Sequence, residues 1–568
     1  MNRLLYAPWD HNISQQPELL NMSTILRAVL VFLAVMLTGA SLADDVANGE
    51  ALRNEIEYLR ETGRLSIGEV DIATGNALAE FYERRDFSPT WTNPGQVGEL
   101  LELVRASRDD GLQPADYHAA QIERVYRKLT RGITPTPRQL AAMELLLTDS
   151  FLRLGYHQLF GRVDPASLDS RWNFDRRPIG PDPLRTMQGA IDSPSLTKFV
   201  EKLFVGGPLY LQLRAALKEY RQIEADGGWP VIPAGPTLKV GISDERVPAL
   251  AKRLAITGDL ADETNVGNAY ADEIELGVRS FQQRHGLQED GAIGPATLAA
   301  LNVPVETRID QLRISLERAR WVMGGIKSDF ILVNIAGFRA YLVNDSKITW
   351  ETKVQVGKFY HQSPVFRDEL TYVVMNPTWT VPYSIATKEM LPRIQRDPDY
   401  FNSRTFDVRN RAGENVDPET IDWSELSRGN FPYTFVQRPG PRNALGRIKF
   451  IFPNEYAVYL HDTPSKSLFG RSERAFSHGC IRTQNPFDLA EILLRPQGWD
   501  RDRIDAQIES LETKTVHLAE PLPVLLLYWT ADIGANGERL FYKDVYERDQ
   551  RILTALDEPF ALELPIGL

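Results

Sequence analysis

Between residues 51 and 226 apolar positions recur at three- and four-residue steps, the period of an amphipathic helix. The clearest case lies within 139 to 155, where Leu140, Met143, Leu147, Phe151 and Leu154 mark one buried face. Breaks at Ser88-Pro89, 111 to 114, 134 to 137, 163 to 165 and 177 to 183 divide the stretch into several helices. A linker rich in Gly and Pro, 227 to 236, follows. Beyond it the pattern predicts three short helices: 247 to 254, then 272 to 285 with Ile274, Val278 and Phe281 on one face, then a helix from Pro295 to Leu301. Residues 308 to 321 read as a connecting helix, after which the period changes to two. Strands are predicted at 330 to 335, 339 to 343, 354 to 357, 371 to 375, 447 to 453 and 456 to 461, and the unbroken apolar run 524 to 529 predicts a central one. Ser384 is placed to cap a helix towards Arg396, at the start of a polar, turn-rich stretch that interrupts the strands, and Asn485-Pro486 opens a last helix to Arg495.

The fold class is therefore α+β and multi-domain: a helical N-terminal scaffold (44–235), a small three-helix unit (238–303), and a β-rich domain (320–545) with an insertion at about 384–437, followed by a C-terminal extension (546–568). A length of 568 residues exceeds one core, and 43% hydrophobic with 25% charged residues is the composition of a folded chain. A net charge of -12 without a basic cluster argues against nucleic acid as a partner. Arg27 precedes an apolar run, 28 to 37, and small residues Ser41 and Ala43 follow it, which predicts a secretory signal cleaved after Ala43 and hence a periplasmic protein. The segment before Met22 is polar, so translation is expected to begin there. Left uncleaved, the same helix would be a tether to the inner membrane.

Cys480 is the only cysteine, so no intramolecular disulfide is possible. A lone thiol is most often a small buried hydrophobe, but His461 lies nineteen residues upstream at the end of a predicted strand. A thiol and an imidazole brought together make an activated nucleophile and its base. Gly479, without a Cβ, permits a tight turn that aims the amides of Gly479 and Cys480 at a developing oxyanion. His118 and His157 stand alone and read as packing or surface residues. Ser195-Leu196-Thr197-Lys198 has neither of the partner motifs that would make it catalytic. With no H-E-x-x-H and a single thiol, no metal and no cofactor are expected.

His461, fifteen intervening residues, then Ser477-His478-Gly479-Cys480-Ile481-Arg482 resembles the L,D-transpeptidase catalytic domain of the YkuD type. The resemblance implies that Cys480 is the nucleophile and that His461 is the general base, oriented by a nearby backbone carbonyl, so Asp462 has no side-chain role. It implies that His478 and Gly479 shape the oxyanion pocket and that Ser477 and Arg482 line the substrate groove. Phe281-Gln282-Gln283, Gly286-Leu287, Asp290-Gly291, Gly294 and Thr297-Leu298 resemble a type 1 peptidoglycan-binding domain. Residues 81 to 91 and 110 to 117 resemble the scaffold of the large, YcbB-like members. In the same resemblance 384 to 437 is a lid and Asn443 sits beside the groove. Trp379 and Tyr383 are candidates to stack on substrate, with core packing as the alternative. The implied activity is formation of 3-to-3 cross-links between stem peptides through a cysteine thioester, with release of terminal D-alanine. Carbapenems are expected to acylate the same thiol. An L,D-carboxypeptidase, a lipoprotein-to-peptidoglycan ligase and a non-catalytic wall-binding scaffold remain open. The implied partners are peptidoglycan stem peptides, glycan strands and proteins of cell-wall synthesis.

Overall fold

The computed structural model describes residues 45–169, 172–174, 182–204, 207–261, 267–323, 329–397, 400–401 and 405–558. The export segment, most of the 177–183 break and the chain beyond 558 lie outside them.

The central scaffold helix, Pro137–Phe160, opens with a capping box in which Thr136 and Gln139 bond each other's backbone amides. It is buried almost all round, so polar side chains lie inside with the leucines. Each is satisfied. Glu144 accepts the amides of Thr90 and Trp91, both at 2.8 Å, and Asp149 accepts from the Thr74 amide and hydroxyl at 2.9 and 2.7 Å. His118 bonds Asp149 at 2.8 Å and His157 bonds the Tyr117 hydroxyl at 2.8 Å, so both isolated histidines pack in the core. Ser195 accepts the Lys198 amide at the start of the helix Leu196–Phe204.

Three helices, Val247–Ile256, Asp272–Arg284 and Pro295–Leu301, enclose Leu250, Leu254, Ile274, Val278, Phe281 and Leu301. This unit docks on the β-rich domain, where His285 stacks on Phe541 with ring centroids 5.9 Å apart and Arg284 donates to the Arg539 carbonyl. The connecting helix is longer than its apolar pattern, Val305–Met323.

Nine strands follow in the order Ala475–Ser477, Lys347–Gly357, Ile481–Thr483, Leu460–His461, Ile448–Ile451, Phe366–Met375, Lys514–Leu527, Phe330–Asn334, Arg339–Asn344. The long strand Lys347–Gly357 pairs with Arg339–Asn344 along one stretch and with Ile481–Thr483 and Ala475–Ser477 along the other. The sheet thereby closes into a barrel. Strand Lys514–Leu527 is central, between Phe366–Met375 and Phe330–Asn334. Val524 and Leu526 point into the barrel, while Leu525 and Leu527 face the helices Pro208–Ala225 and Val305–Met323. Burial on both faces is why this run shows no alternation.

The predicted strand 456 to 461 contracts to Leu460–His461. Asn454 holds the preceding chain in a turn by donating to the carbonyls of Phe452 and Val458 and accepting the Val458 amide. Ser384 is not a cap: the helix begins at Tyr383, with Pro382 at the N-cap, and passes through a π-helical turn at Ala386–Met390. That helix belongs to the inserted segment. It packs with Phe401, Val408, Phe431 and Phe435 into a core of its own beside a four-stranded sheet.

Candidate active site

Leu460 and Ile481 pair in register on adjacent parallel strands and point into the barrel core. Side chains alternate along a strand, so Tyr459, His461, Cys480 and Arg482 share the opposite face. Lys449 pairs with His461 and Gln355 pairs with Arg482, which extends this face over four neighbouring strands. Two residues that the motif spacing proposes as a pair are thus brought together by strand register.

The His461 ring is buried and its Nδ1–H donates to the Asp462 carbonyl at 2.5 Å. Nε2 is left as the acceptor. Burial, the Arg482 guanidinium and, more weakly, the Lys449 ammonium push the imidazole down to about 3, against backbone hydrogen bonds that favour its charged form, so it is neutral at pH 7. The half-buried Cys480 thiol donates to the Ala457 carbonyl at 3.7 Å, and the neighbouring Tyr459 favours its charged form. Burial raises the thiol above its ordinary value, opposed by Tyr459, Lys449 and Arg482.

The Ser477 hydroxyl donates to the Cys480 carbonyl at 2.6 Å and accepts the Gly479 amide at 3.1 Å. Ser477 is therefore buried and braces the loop, which corrects its expected place in the groove. The Gly479 amide is likewise engaged and does not aim at an oxyanion position in this structure. Gly479 has φ +116°, open to glycine and strained for other residues. Its carbonyl accepts from Ser363, which ties the loop to the barrel wall. His478 is exposed. Its Nε2 meets Glu389 of the insertion at 2.7 Å and its ring lies 5.1 Å from that of His361, so it turns away from the oxyanion region.

Asp462 does have a side-chain role: its buried carboxylate accepts the Arg447 amide at 2.9 Å and the Lys466 ammonium at 2.5 Å. Gly446, with φ +62°, is required because the Asp462 side chain occupies the space a Cβ would fill. Asn443 is buried and knots the root of the insertion, donating to the carbonyls of Pro377 and Arg438 and accepting the Leu445 amide, so it lines no groove. Trp379 packs against Phe406 at the edge of the insertion core. Tyr383 is exposed, bonds the Arg428 carbonyl and meets Phe431 edge-on. Lys449, Tyr459 and Glu389 escape motif reasoning. The alternation around Lys449 in Ile448–Ile451 was the one local signal that a charge faces outward there.

The closed β-barrel with its inserted subdomain thus carries a buried neutral imidazole and a thiol on neighbouring strands. Residues 328–505 match the family described as "L,D-transpeptidase catalytic domain" (YkuD), residues 76–217 match "Scaffold domain", and residues 243–301 match "Putative peptidoglycan binding domain". The chain is 36% identical over 222 residues to a Haemophilus influenzae protein described as "Putative L,D-transpeptidase", covering 39% of this chain and 45% of that one. It thus spans less than half the length of that relative. Solved L,D-transpeptidases from Stackebrandtia nassauensis and Mycobacterium smegmatis align at 15% and 12% identity. They cover 52% and 36% of this chain and 97% and 64% of theirs, with TM-scores of 0.21 and 0.16. At TM-scores this low neither superposition bears on the site. The chain carries a YkuD-type L,D-transpeptidase catalytic domain together with a peptidoglycan-binding domain, a combination consistent with the large YcbB-like members.

Proposed function

We propose that the protein is a peptidoglycan L,D-transpeptidase that forms 3-to-3 cross-links through a thioester on Cys480. The observation that carries this reading is the shared face of His461 and Cys480 on adjacent strands, with Nδ1–H of His461 fixed to the Asp462 carbonyl. A neutral imidazole on this face is suited to take the thiol proton as the sulfur attacks the carbonyl of the third stem residue. The imidazolium then returns that proton to the departing D-alanine nitrogen, leaving a thioester. The side-chain amine of a second stem attacks the thioester, loses a proton to His461, and the sulfur leaves and is reprotonated. One amide is exchanged for another, with no net redox change. Because Ser477 already engages the Gly479 amide, the Tyr459 hydroxyl beside the thiol is the better placed oxyanion donor.

The inserted subdomain acts in this reading as a lid, supported by the contact of Glu389 with His478 next to the thiol loop. Water excluded by the lid would otherwise release a tripeptide. The apolar run 28 to 37 and the small residues after it support export to the periplasm. A carbapenem carbonyl offers the thiol an equivalent electrophile, so a covalent adduct on Cys480 is expected by intact-mass analysis.

The test is mass spectrometry of muropeptides after incubating a disaccharide-tetrapeptide with wild type and Cys480→Ala. Dimers formed by wild type alone are the expected result. Tripeptide without dimers would point to an L,D-carboxypeptidase, and unchanged substrate in both samples would overturn the catalytic reading.

A further inference from the structure

The site presents positive charge that the chain leaves unneutralised. Lys449, His461, Arg482 and Gln355 stand in register across four neighbouring strands. At about 4.8 Å per strand, the two cations flank the imidazole at roughly 10 Å from each other. Among the described residues neither makes an ion pair. The Lys449 ammonium lies 3.7 Å from the centroid of the Tyr459 ring. Arg482 Nη1 reaches Gln355 at 3.4 Å, and its Nε is buried without a hydrogen-bond partner. Some exposed arginines find carboxylates, as Arg438 does with Asp407 and Arg501 with Asp505. Here, in a chain of net charge -12, two half-buried cations face a reactive thiol with none. Desolvating a charge without a counterion is unfavourable, so an arrangement of this kind is completed by an anion from outside.

The transpeptidase reading, on which this inference rests, supplies one. A donor stem ending in D-alanine has its terminal carboxylate one residue beyond the scissile carbonyl, about 3.6 Å further along an extended chain. With that carbonyl at Cys480, the carboxylate falls within the span of a lysine side chain on the flanking strand. We propose that Lys449 is a specificity-determining residue that binds the free carboxylate of the departing D-amino acid. A stem with one more residue, or with a C-terminal amide, leaves Lys449 without its partner. Selection for donors that end directly after the scissile bond follows from this single charge. Tyr459 holds the ammonium in place through its ring face.

The experiment compares a tetrapeptide stem carrying a free C-terminal carboxylate with the same peptide as a C-terminal carboxamide. Binding is measured calorimetrically in a Cys480→Ala background, alone and with Lys449→Met or Lys449→Arg. D-alanine or D-alaninamide release is measured in parallel on enzymes with Cys480 intact. A charge-assisted hydrogen bond predicts about a tenfold preference for the acid. Lys449→Met reduces that preference below about threefold, mainly through Kd and KM, and Lys449→Arg restores it. An unchanged preference in Lys449→Met, equal weakening of acid and amide, or binding of neither peptide overturns the proposal. Failure of the transpeptidase reading is a separate outcome: no D-alanine release by wild type while the binding preference for the acid persists.

Discussion

The reactivity of Cys480 as a function of pH tests whether its thiol and His461 rest as a neutral pair or as an ion pair. With the imidazole pushed down to about 3 and the thiol raised above its ordinary value by burial, the neutral pair is favoured over the ion pair. At pH 7 less than about 1% of the thiol is then ionised. A cysteine held as thiolate beside an imidazolium would be almost fully ionised at the same pH. Alkylation by iodoacetamide, followed by intact mass from pH 5 to 10, separates the two cases because Cys480 is the only thiol in the chain. The neutral pair predicts a rate that rises about tenfold per pH unit through neutrality and levels off only above pH 9. Lys449→Met moves the curve to higher pH, since it removes a charge that favours the thiolate. A plateau reached below pH 7 would refute the reasoning, as would a curve that Lys449→Met leaves in place.

Three further outcomes follow from particular contacts. Asp462→Ala strands the Arg447 amide and frees Lys466, a loss of about 2–4 kcal/mol that lowers the thermal midpoint of the barrel domain by roughly 5–10 °C. Asp462→Asn, which keeps an acceptor, should lose less than half as much by scanning calorimetry. Burial raises Glu144 from 4.5 to about 7 despite the Thr90 and Trp91 amides. Its contribution to scaffold stability is complete below pH 4.5 and lost as pH rises through about 7, by up to about 3 kcal/mol. Denaturant midpoints should therefore fall between pH 5 and 8 in wild type and fall less in Glu144→Gln; parallel curves would show that Glu144 is ionised throughout. The pair Glu389–His478 is half-exposed, so a double-mutant cycle should give a coupling of about 0.5–1 kcal/mol. If the insertion is a lid, Glu389→Gln raises the tripeptide-to-dimer ratio about two- to fivefold, and an unchanged ratio argues against the lid.

The thiol and its imidazole were legible because they sit in a motif of fixed spacing, and the period change near residue 330 marked the start of the β-rich domain. Lys449 and Tyr459 were not, because their importance comes from strand register. Alternation tells which residues of one strand share a face but not which neighbour stands beside them. Ile448–Ile451, Leu460–His461 and Ile481–Thr483 become adjacent only through barrel pairing. Ser477 and Asn443 were misread for a related reason: a polar side chain in a loop motif looks available to a ligand until its internal hydrogen bonds are known. Glu389 lies 89 residues from His478, in a helix predicted with the wrong cap. The first half of Lys514–Leu527 carried only a thin apolar signal, since Val516 alone is buried there before the irregularity between His517 and Leu522.

The same two cations act on recognition and on chemistry in opposite senses. Empty, Arg482 and Lys449 add to burial in holding His461 neutral, which leaves it free to accept a proton but makes it a weak base. A charge about 5 Å away at an effective dielectric near 20 is worth roughly 3 kcal/mol. A substrate carboxylate that neutralises Lys449 would remove part of the repulsion felt by the imidazolium, and with it part of the charge that favours the thiolate. Against a total barrier of about 16 kcal/mol for a turnover near 10 per second, a change of even 1–2 kcal/mol alters the rate about five- to thirtyfold. The donor stem would then strengthen His461 as a base while withdrawing a charge that favours the thiolate, so the thiol proton leaves in step with attack rather than beforehand.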